Sequence, residues 1–314
     1  FSDIKDCYIY IITLPTPINK KKVPDISLVI KATSNLAKII KKNDLIIYES
    51  TFYPGTIEEE LIPILEKNSK FKYNKDFFIG YSPERINPGE KTHTLENVKK
   101  VIASNNISSL KQVREIYKKI IKAGIYEASS IKVAELSKII ENTQRFVNIS
   151  LMNELSTLCN KLNIQTKEVI DAASSKWNFV KYFPGFIGGH CVAVDPLYFS
   201  FKQKKLKIRS YLVDAADKIN ETKHLEVINQ LKIKLSNLRN KKILILGATF
   251  KENCPDLRNS GVIKLLESLN KIGSTIILTS STLLFTTSNV PEGSVVPIPT
   301  LLLSASPIIK SVET

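Results

Sequence analysis

Asp44-Leu45-Ile46-Ile47-Tyr48-Glu49-Ser50-Thr51 decides the fold. Four apolar residues, two of them β-branched, lie between polar ones. The run is too short for a helix and continuous rather than alternating, so it reads as a strand buried on both faces. Its polar residues gather at the carboxyl end. Working outward, residues 7–13 (CYIYIIT) repeat the pattern and stop at Leu14-Pro15-Thr16-Pro17. Between the two runs, Asp25 or Ser27 can cap a helix reaching about Lys41, with apolar positions at Leu28, Val29, Ala32, Leu36 and Ile39. Downstream, Pro54-Gly55-Thr56 leads into a helix over residues 57–65, residues 77–81 form another strand, and Val101-Ile102-Ala103 continues the alternation. Strands alternating with helices predict a parallel α/β sheet that binds ligands at the carboxyl ends of its strands.

The remainder changes character twice. From about Ser130 to Cys159 the pattern is helical and free of proline, and further helices are expected over 166–174 and 210–238 with an irregular stretch between them. Lys241-Lys242-Ile243-Leu244-Ile245-Leu246-Gly247 opens a second β-α-β unit, with its helix over 260–271 and its strand over 275–278. The connection from Thr249 to Ser260 is longer and more polar than a plain link, as functional loops are. After Leu278 the composition turns to Ser, Thr, Pro and Leu, which suggests a tail that is not the native continuation. The expected organisation is therefore a partial Rossmann-like domain (1–125), a central long-helix domain (126–238), the start of a second Rossmann-like domain (239–278) and an atypical tail (279–314). No G-x-G-x-x-G occurs in the chain, so the first phosphate-binding unit of a dinucleotide domain is expected to be missing.

Two constellations can carry chemistry. In Pro184-Gly185-Phe186-Ile187-Gly188-Gly189-His190-Cys191-Val192-Ala193-Val194-Asp195-Pro196 a thiol sits among small residues, with a carboxylate four positions on. If a helix follows, its dipole favours a thiolate at Cys191, with Asp195 one turn below. Those residues alone fit a structural cysteine in a turn better than a nucleophile. Lys138, Asn142 and Arg145 share one helix face. Alone they read as a solvated polar stripe, although Glu135, Glu141 and Asn148 already supply polar surface elsewhere.

Bulk properties narrow the classes. With 43% hydrophobic and 24% charged residues, the composition is that of a soluble globular protein. No apolar run reaches membrane-span length and no signal peptide opens the chain. The four scattered cysteines have neither disulfide density nor metal-ligand spacing, so reduced thiols in a cytoplasmic setting and no metal site are expected. The net charge of +15 invites nucleic acid, but the lysines do not interleave with aromatics as a strand-binding groove requires. A basic surface equally suits a nucleotide. No nucleic-acid or membrane partner is expected.

Taken together, Thr16 in L-P-T-P, Ser50-Thr51, S-P-E-R-I-N-P-G (82–89), K-x-x-x-N-x-x-R (138–145), G-G-H-C-x-x-x-D-P (188–196) and T-F-K-E-N-x-P-D-x-R-N-S (249–260) resemble the UDP-glucose/GDP-mannose dehydrogenase family. Within it, S-P-E-R-I-N-P-G and Lys176-Trp177-Asn178-Phe179 look most like the bacterial UDP-N-acetylglucosamine and UDP-N-acetylgalactosamine 6-dehydrogenases of surface-polysaccharide synthesis. The resemblance covers about residues 5–278. It implies oxidation of a sugar CH2OH to a carboxylate by two hydride transfers to NAD, with Cys191 forming a thiohemiacetal and then a thioester. It also implies that Lys138 and Asn142 stabilise the oxygen carrying developing charge, and that Asp195, Glu84 and Thr51 serve thioester hydrolysis. Thr16, Thr51, Glu84 and Arg258 match cofactor contacts. Arg85, Ile86, Lys138, Asn142, Arg145, Gly188, Phe250 and Lys251 match substrate contacts. Residues around Ser175 and Trp177 match a segment that reaches a neighbouring subunit's substrate, and the long helix becomes the centre of a homodimer. Some relatives carry a second glutamate where this chain has Pro88. Two rivals are a β-hydroxyacid dehydrogenase, which needs no thiol, and a non-catalytic remnant that pairs through the long helix.

Overall fold

The computed structural model describes residues 2–86, 90–250 and 256–279. The chain runs β1 (Ile9–Ile12), α1 (Ser27–Leu36), β2 (Asp44–Tyr48), α2 (Ile62–Ser69), β3 (Phe77–Tyr81), β4 (Lys100–Ser104), α3 (Ile107–Lys118) and β5 (Ile125–Glu127). It continues through α4 (Ile131–Leu162), α5 (Thr166–Ala173), α6 (Asp195–Lys205), α7 (Tyr211–Leu235), β6 (Lys242–Leu246), α8 (Gly261–Ile272) and β7 (Thr275–Thr279). It divides into two compact units: Phe1–Thr143 with Val194–Ser210, and Gln144–Ala193 with Tyr211–Thr314.

The first unit is built on a five-stranded sheet in the order β1-β2-β3-β4-β5. β2 is buried along its whole length, as its continuous apolar run requires. Ile46 and Tyr48 face a core shared with Val29 and Leu36 of α1 and Leu65 of α2. Leu45 and Ile47 face Val113 and Tyr117 of α3 on the other side. Gly80 lets α3 approach the sheet, because a Cβ there would lie 2.5 Å from a Val113 methyl. β1, β2 and β3 pair in parallel and β4 with β5 likewise, but β4 runs antiparallel to β3, a departure from the all-parallel expectation. The connection from Ser82 to Lys99 contains no crossover helix among its described residues, so the chain returns along the neighbouring edge in the opposite sense.

Other expectations shift at their edges. α1 stops at Leu36 rather than near Lys41, and residues 57–69 form a π-helical turn (Ile57–Leu61) followed by α2. The stretch expected to be irregular contains a helix, α6, which starts at Asp195 with a proline in its first turn, where a missing N–H costs nothing. Cys191 precedes that helix by four residues rather than lying in its first turn.

In the second unit, β6, α8 and β7 form a parallel β-α-β unit. Leu265 and Leu269 of α8 pack with Ile245 of β6 and with Val227, Ile228 and Leu231 of α7. Ser260 caps α8 by accepting the Val262 N–H, and Gly273 closes it at φ 87°. The tail after Thr279 lies outside the described residues.

Candidate active site

Lys138 and Asn142, one turn apart on α4, are 6% and 5% exposed. They are not a solvated stripe. Both face Asp195, the first residue of α6, which is equally buried. Asn142 Nδ2 donates to Asp195 Oδ2 at 2.6 Å, and Lys138 Nζ lies 3.9 Å from the same oxygen. The positive end of α6 further favours a carboxylate there.

A chain of hydrogen bonds connects this cluster to the carboxyl ends of β1 and β2. Tyr198 of α6 donates to Thr16 O at 2.6 Å, Thr16 Oγ1 donates to Thr51 O at 2.8 Å, and Ser50 Oγ donates to Leu14 O at 2.6 Å. Lys202 and Lys205, one and two turns further along α6, pair with Glu59 and Glu60 at 2.7 and 2.8 Å. Partly exposed pairs of this kind add little stability but hold α6 in register with the turn that follows Thr51.

Glu135 is the residue that sequence reasoning placed wrongly. It is fully buried rather than on the solvent face of the helix, and accepts the Gly55 N–H at 2.5 Å and the Ile57 N–H at 3.1 Å. It thus caps the turn after Thr51 from the helix that carries Lys138. Burial pushes its carboxyl up to about 8, against the lowering effect of the two amides. A raised carboxyl means that the fold disfavours the charged form. The contribution of Glu135 to stability is therefore fully present below the ordinary glutamate range and is lost as pH rises from about 4.5 to about 8, by on the order of 5 kcal/mol. Above that window the loss is constant. Thermal melting between pH 5 and pH 8 is expected to show this decline, and Glu135→Gln is expected to flatten it; an unchanged slope in the variant contradicts the assignment.

At the end of β3, Glu84 accepts the N–H groups of Arg85 and Ile86 at 2.6 and 2.7 Å, and its other oxygen lies 3.7 Å from Lys100 Nζ. Lys100, 4% exposed, also lies 3.5 Å from Glu49, which accepts the Tyr117 hydroxyl. Arg85 forks onto Glu141 at 3.2 and 2.8 Å and donates to Lys99 O at 2.8 Å. Glu141 precedes Asn142 on α4, so Arg85 is tied to the same helix.

In the second unit, Gly188 and Gly189 lie against Phe250 and the start of α8. Cys191 is half-buried and has no disulfide. His190 Nδ1 lies 3.6 Å from Asp256, and Arg258 forks onto that same carboxylate, which it holds down to about 2. Arg145 is half-buried on α4, and Ser175 and Trp177 are exposed. Lys251 lies outside the described residues, as do residues 87–89 of the S-P-E-R-I-N-P-G motif. Among the described residues, no group of three or more His, Cys, Asp or Glu could hold a metal ion, and no helix is long and apolar enough to cross a membrane.

Residues 1–121 match the NAD binding domain, and residues 132–222 the central domain, of the UDP-glucose/GDP-mannose dehydrogenase family. The chain is 30% identical over 277 residues to a UDP-N-acetyl-D-mannosamine dehydrogenase of Campylobacter jejuni, covering 86% of this chain and 67% of that one. It belongs to the UDP-glucose/GDP-mannose dehydrogenase family. It is also 47% identical over 272 residues to the UDP-N-acetyl-D-glucosamine 6-dehydrogenase of Salmonella typhi, covering 85% of this chain and 64% of that protein. Among solved structures it resembles the UDP-D-ManNAc dehydrogenase from Pyrococcus horikoshii, with a TM-score of 0.80 at 27% identity over 88% of this chain and 66% of that one. The chain thus spans just under two thirds of the Salmonella relative's length.

The residues present fit part of a dinucleotide. Thr16 and Thr51, at the carboxyl ends of parallel strands, offer hydroxyl and backbone groups of the kind that bind a ribose or a carboxamide. The sequence contains no glycine-rich turn to cradle a pyrophosphate.

Proposed function

We propose that this chain carries the catalytic residues of an NAD-dependent UDP-N-acetylhexosamine 6-dehydrogenase of surface-polysaccharide synthesis, working in the cytoplasm. The observation that carries the reading is the buried Lys138–Asn142–Asp195 cluster. A cation and an amide donor held dry on one helix face have little structural justification, and they suit an oxygen that gains negative charge during oxidation. Identity of 47% to a UDP-N-acetyl-D-glucosamine 6-dehydrogenase favours that sugar class.

Two NAD+ molecules, bound one after the other, would each take up one of the two hydrides. Thr16, Thr51 and Glu84 would hold the nicotinamide end of each, and Arg258 suits phosphate oxygens. Arg85, Ile86, Arg145, Gly188, Phe250 and Lys251 would hold the UDP-sugar. Once the C6 alcohol has become an aldehyde, the Cys191 thiolate adds to its carbon to give a thiohemiacetal. Lys138 and Asn142 donate to the oxygen bearing the charge. Loss of the second hydride leaves a thioester. Water then attacks that carbonyl with Glu84 or Asp195 taking its proton, Cys191 leaves as thiolate, and the uronate is released. Incubating the chain with NAD+ and either UDP-N-acetylglucosamine or its galacto epimer is expected to yield a product with the mass of the uronate. An aldehyde or unchanged sugar as the sole species contradicts the reading.

A homodimer through α4 belongs to the same proposal. Leu136, Ile140, Leu151, Leu158 and Leu162 are each at least 40% exposed, and they recur at four-, seven- and eleven-residue intervals along one side of the helix. Such a stripe is suited to a second copy of itself. Leu151→Glu with Leu158→Glu is expected to turn a dimer into a monomer in sedimentation, and an unchanged mass rules this surface out.

A further inference from the structure

We propose that Asp256 and Asn259 are positioning residues for the Cys191 thiol, clamping the turn that delivers it. The inference rests on the nucleophilic role proposed for Cys191. Both polar groups of the Gly189 backbone are taken: its N–H donates to Arg258 O at 3.0 Å, and its carbonyl accepts Asn259 Nδ2 at 3.0 Å. Gly188 packs so closely that a Cβ would lie 2.7 Å from Phe250 Cβ and 2.8 Å from Asn259 O. His190 Nδ1 approaches Asp256 Oδ2 at 3.6 Å. Three consecutive residues before Cys191 are therefore held from one short segment.

That segment is itself fixed. Asp256 Oδ1 accepts the Arg258 N–H at 2.9 Å, and both carboxylate oxygens accept the Arg258 guanidinium. Ser260 donates to Ala248 O at 2.7 Å and caps α8, whose Val262 and Leu265 are in the core. Asn259 has φ 55°, a left-handed conformation that Asn, Asp and Gly tolerate. The clamp thus ties the thiol's turn to the N-terminus of a packed helix, a task separate from any contact Arg258 makes with a phosphate.

The test is alkylation of the intact chain by iodoacetamide, followed at each cysteine by peptide mass spectrometry, in Asn259→Gly and Asn259→Asp. Glycine keeps the positive φ and removes the amide, and aspartate keeps the shape and removes the donor. Exposed Cys7 and buried Cys159 are internal standards. Loss of one hydrogen bond is expected to raise the Cys191 rate about fivefold in both variants, with Cys7 unchanged and Cys159 still protected. An unchanged Cys191 rate in both overturns the proposal. So does a joint rise at Cys191 and Cys159, which reports unfolding rather than release of a clamp. Labelling needs neither sugar nor turnover, so its outcome is independent of whether the chain forms NADH.

Discussion

Asp195→Ala is expected to destabilise the first unit by about 3–5 kcal/mol and to lower its melting temperature by about 10 °C. Asp195 and Lys138 have side chains 3% and 8% exposed, so neither charge is hydrated as it would be in the unfolded chain. Removing the carboxylate leaves the Lys138 ammonium in a dry site and strips Asn142 of an acceptor at 2.6 Å. That cost far exceeds the net worth of the pair, because the desolvation has already been incurred. Asp195→Asn keeps an acceptor and loses only the charge, so its melting temperature is expected to fall between those of the parent and the alanine variant. Replacing both partners with apolar residues, as in Lys138→Met with Asp195→Leu, is expected to recover much of the loss while abolishing turnover. Calorimetry across the four proteins checks the order. An alanine variant as stable as the parent would mean that the two groups are not electrostatically coupled.

Cys191→Ala is expected to cut uronate formation by roughly three orders of magnitude or more while leaving the fold intact. An aldehyde has no hydroxyl-bearing carbon from which to surrender a second hydride until a nucleophile adds to it. In the proposed mechanism the thiol is that nucleophile, and it is a good leaving group for the hydrolysis that follows. Cys191 is half-buried and its side chain fills no core cluster, so truncation creates little cavity and melting is expected to shift by less than about 1 kcal/mol. The first oxidation does not need the thiol. Aldehyde is therefore the species expected to accumulate, trapped as its hydrazone.

Four of the five strands of the first unit could be read from the chain, β2 most plainly because its apolar run is continuous, as a strand covered on both faces requires, while β5, three residues long and largely exposed, carried no such run. The direction of β4 could not be read. Nothing in Val101-Ile102-Ala103 encodes which way it runs, since that depends on the form of the connection before it. α6 escaped for a different reason. Asp195-Pro196 is a helix start, but Leu197, Tyr198 and Ser200 are buried with no clean 3.6-residue period behind them.

The site divides similarly. Spacing on one helix placed Lys138 beside Asn142, but that spacing says nothing of Asp195, which meets Asn142 from 53 positions away. The burial of Glu135 depends on amides about 80 positions away, at Gly55 and Ile57, and a lone glutamate on a helix carries no sign of that. Asn259 was legible only as part of a motif. Its hold on Gly189 spans 70 residues and exists only once α8 has folded.

The most direct test of the central claim is the number of NADH formed per sugar, read from absorbance with excess NAD+ and limiting UDP-N-acetylglucosamine. The proposed four-electron oxidation predicts two per sugar, with the second lost in Cys191→Ser. One NADH per sugar from parent and variant alike would contradict it, and would instead mark a single hydride transfer that makes no use of the thiol.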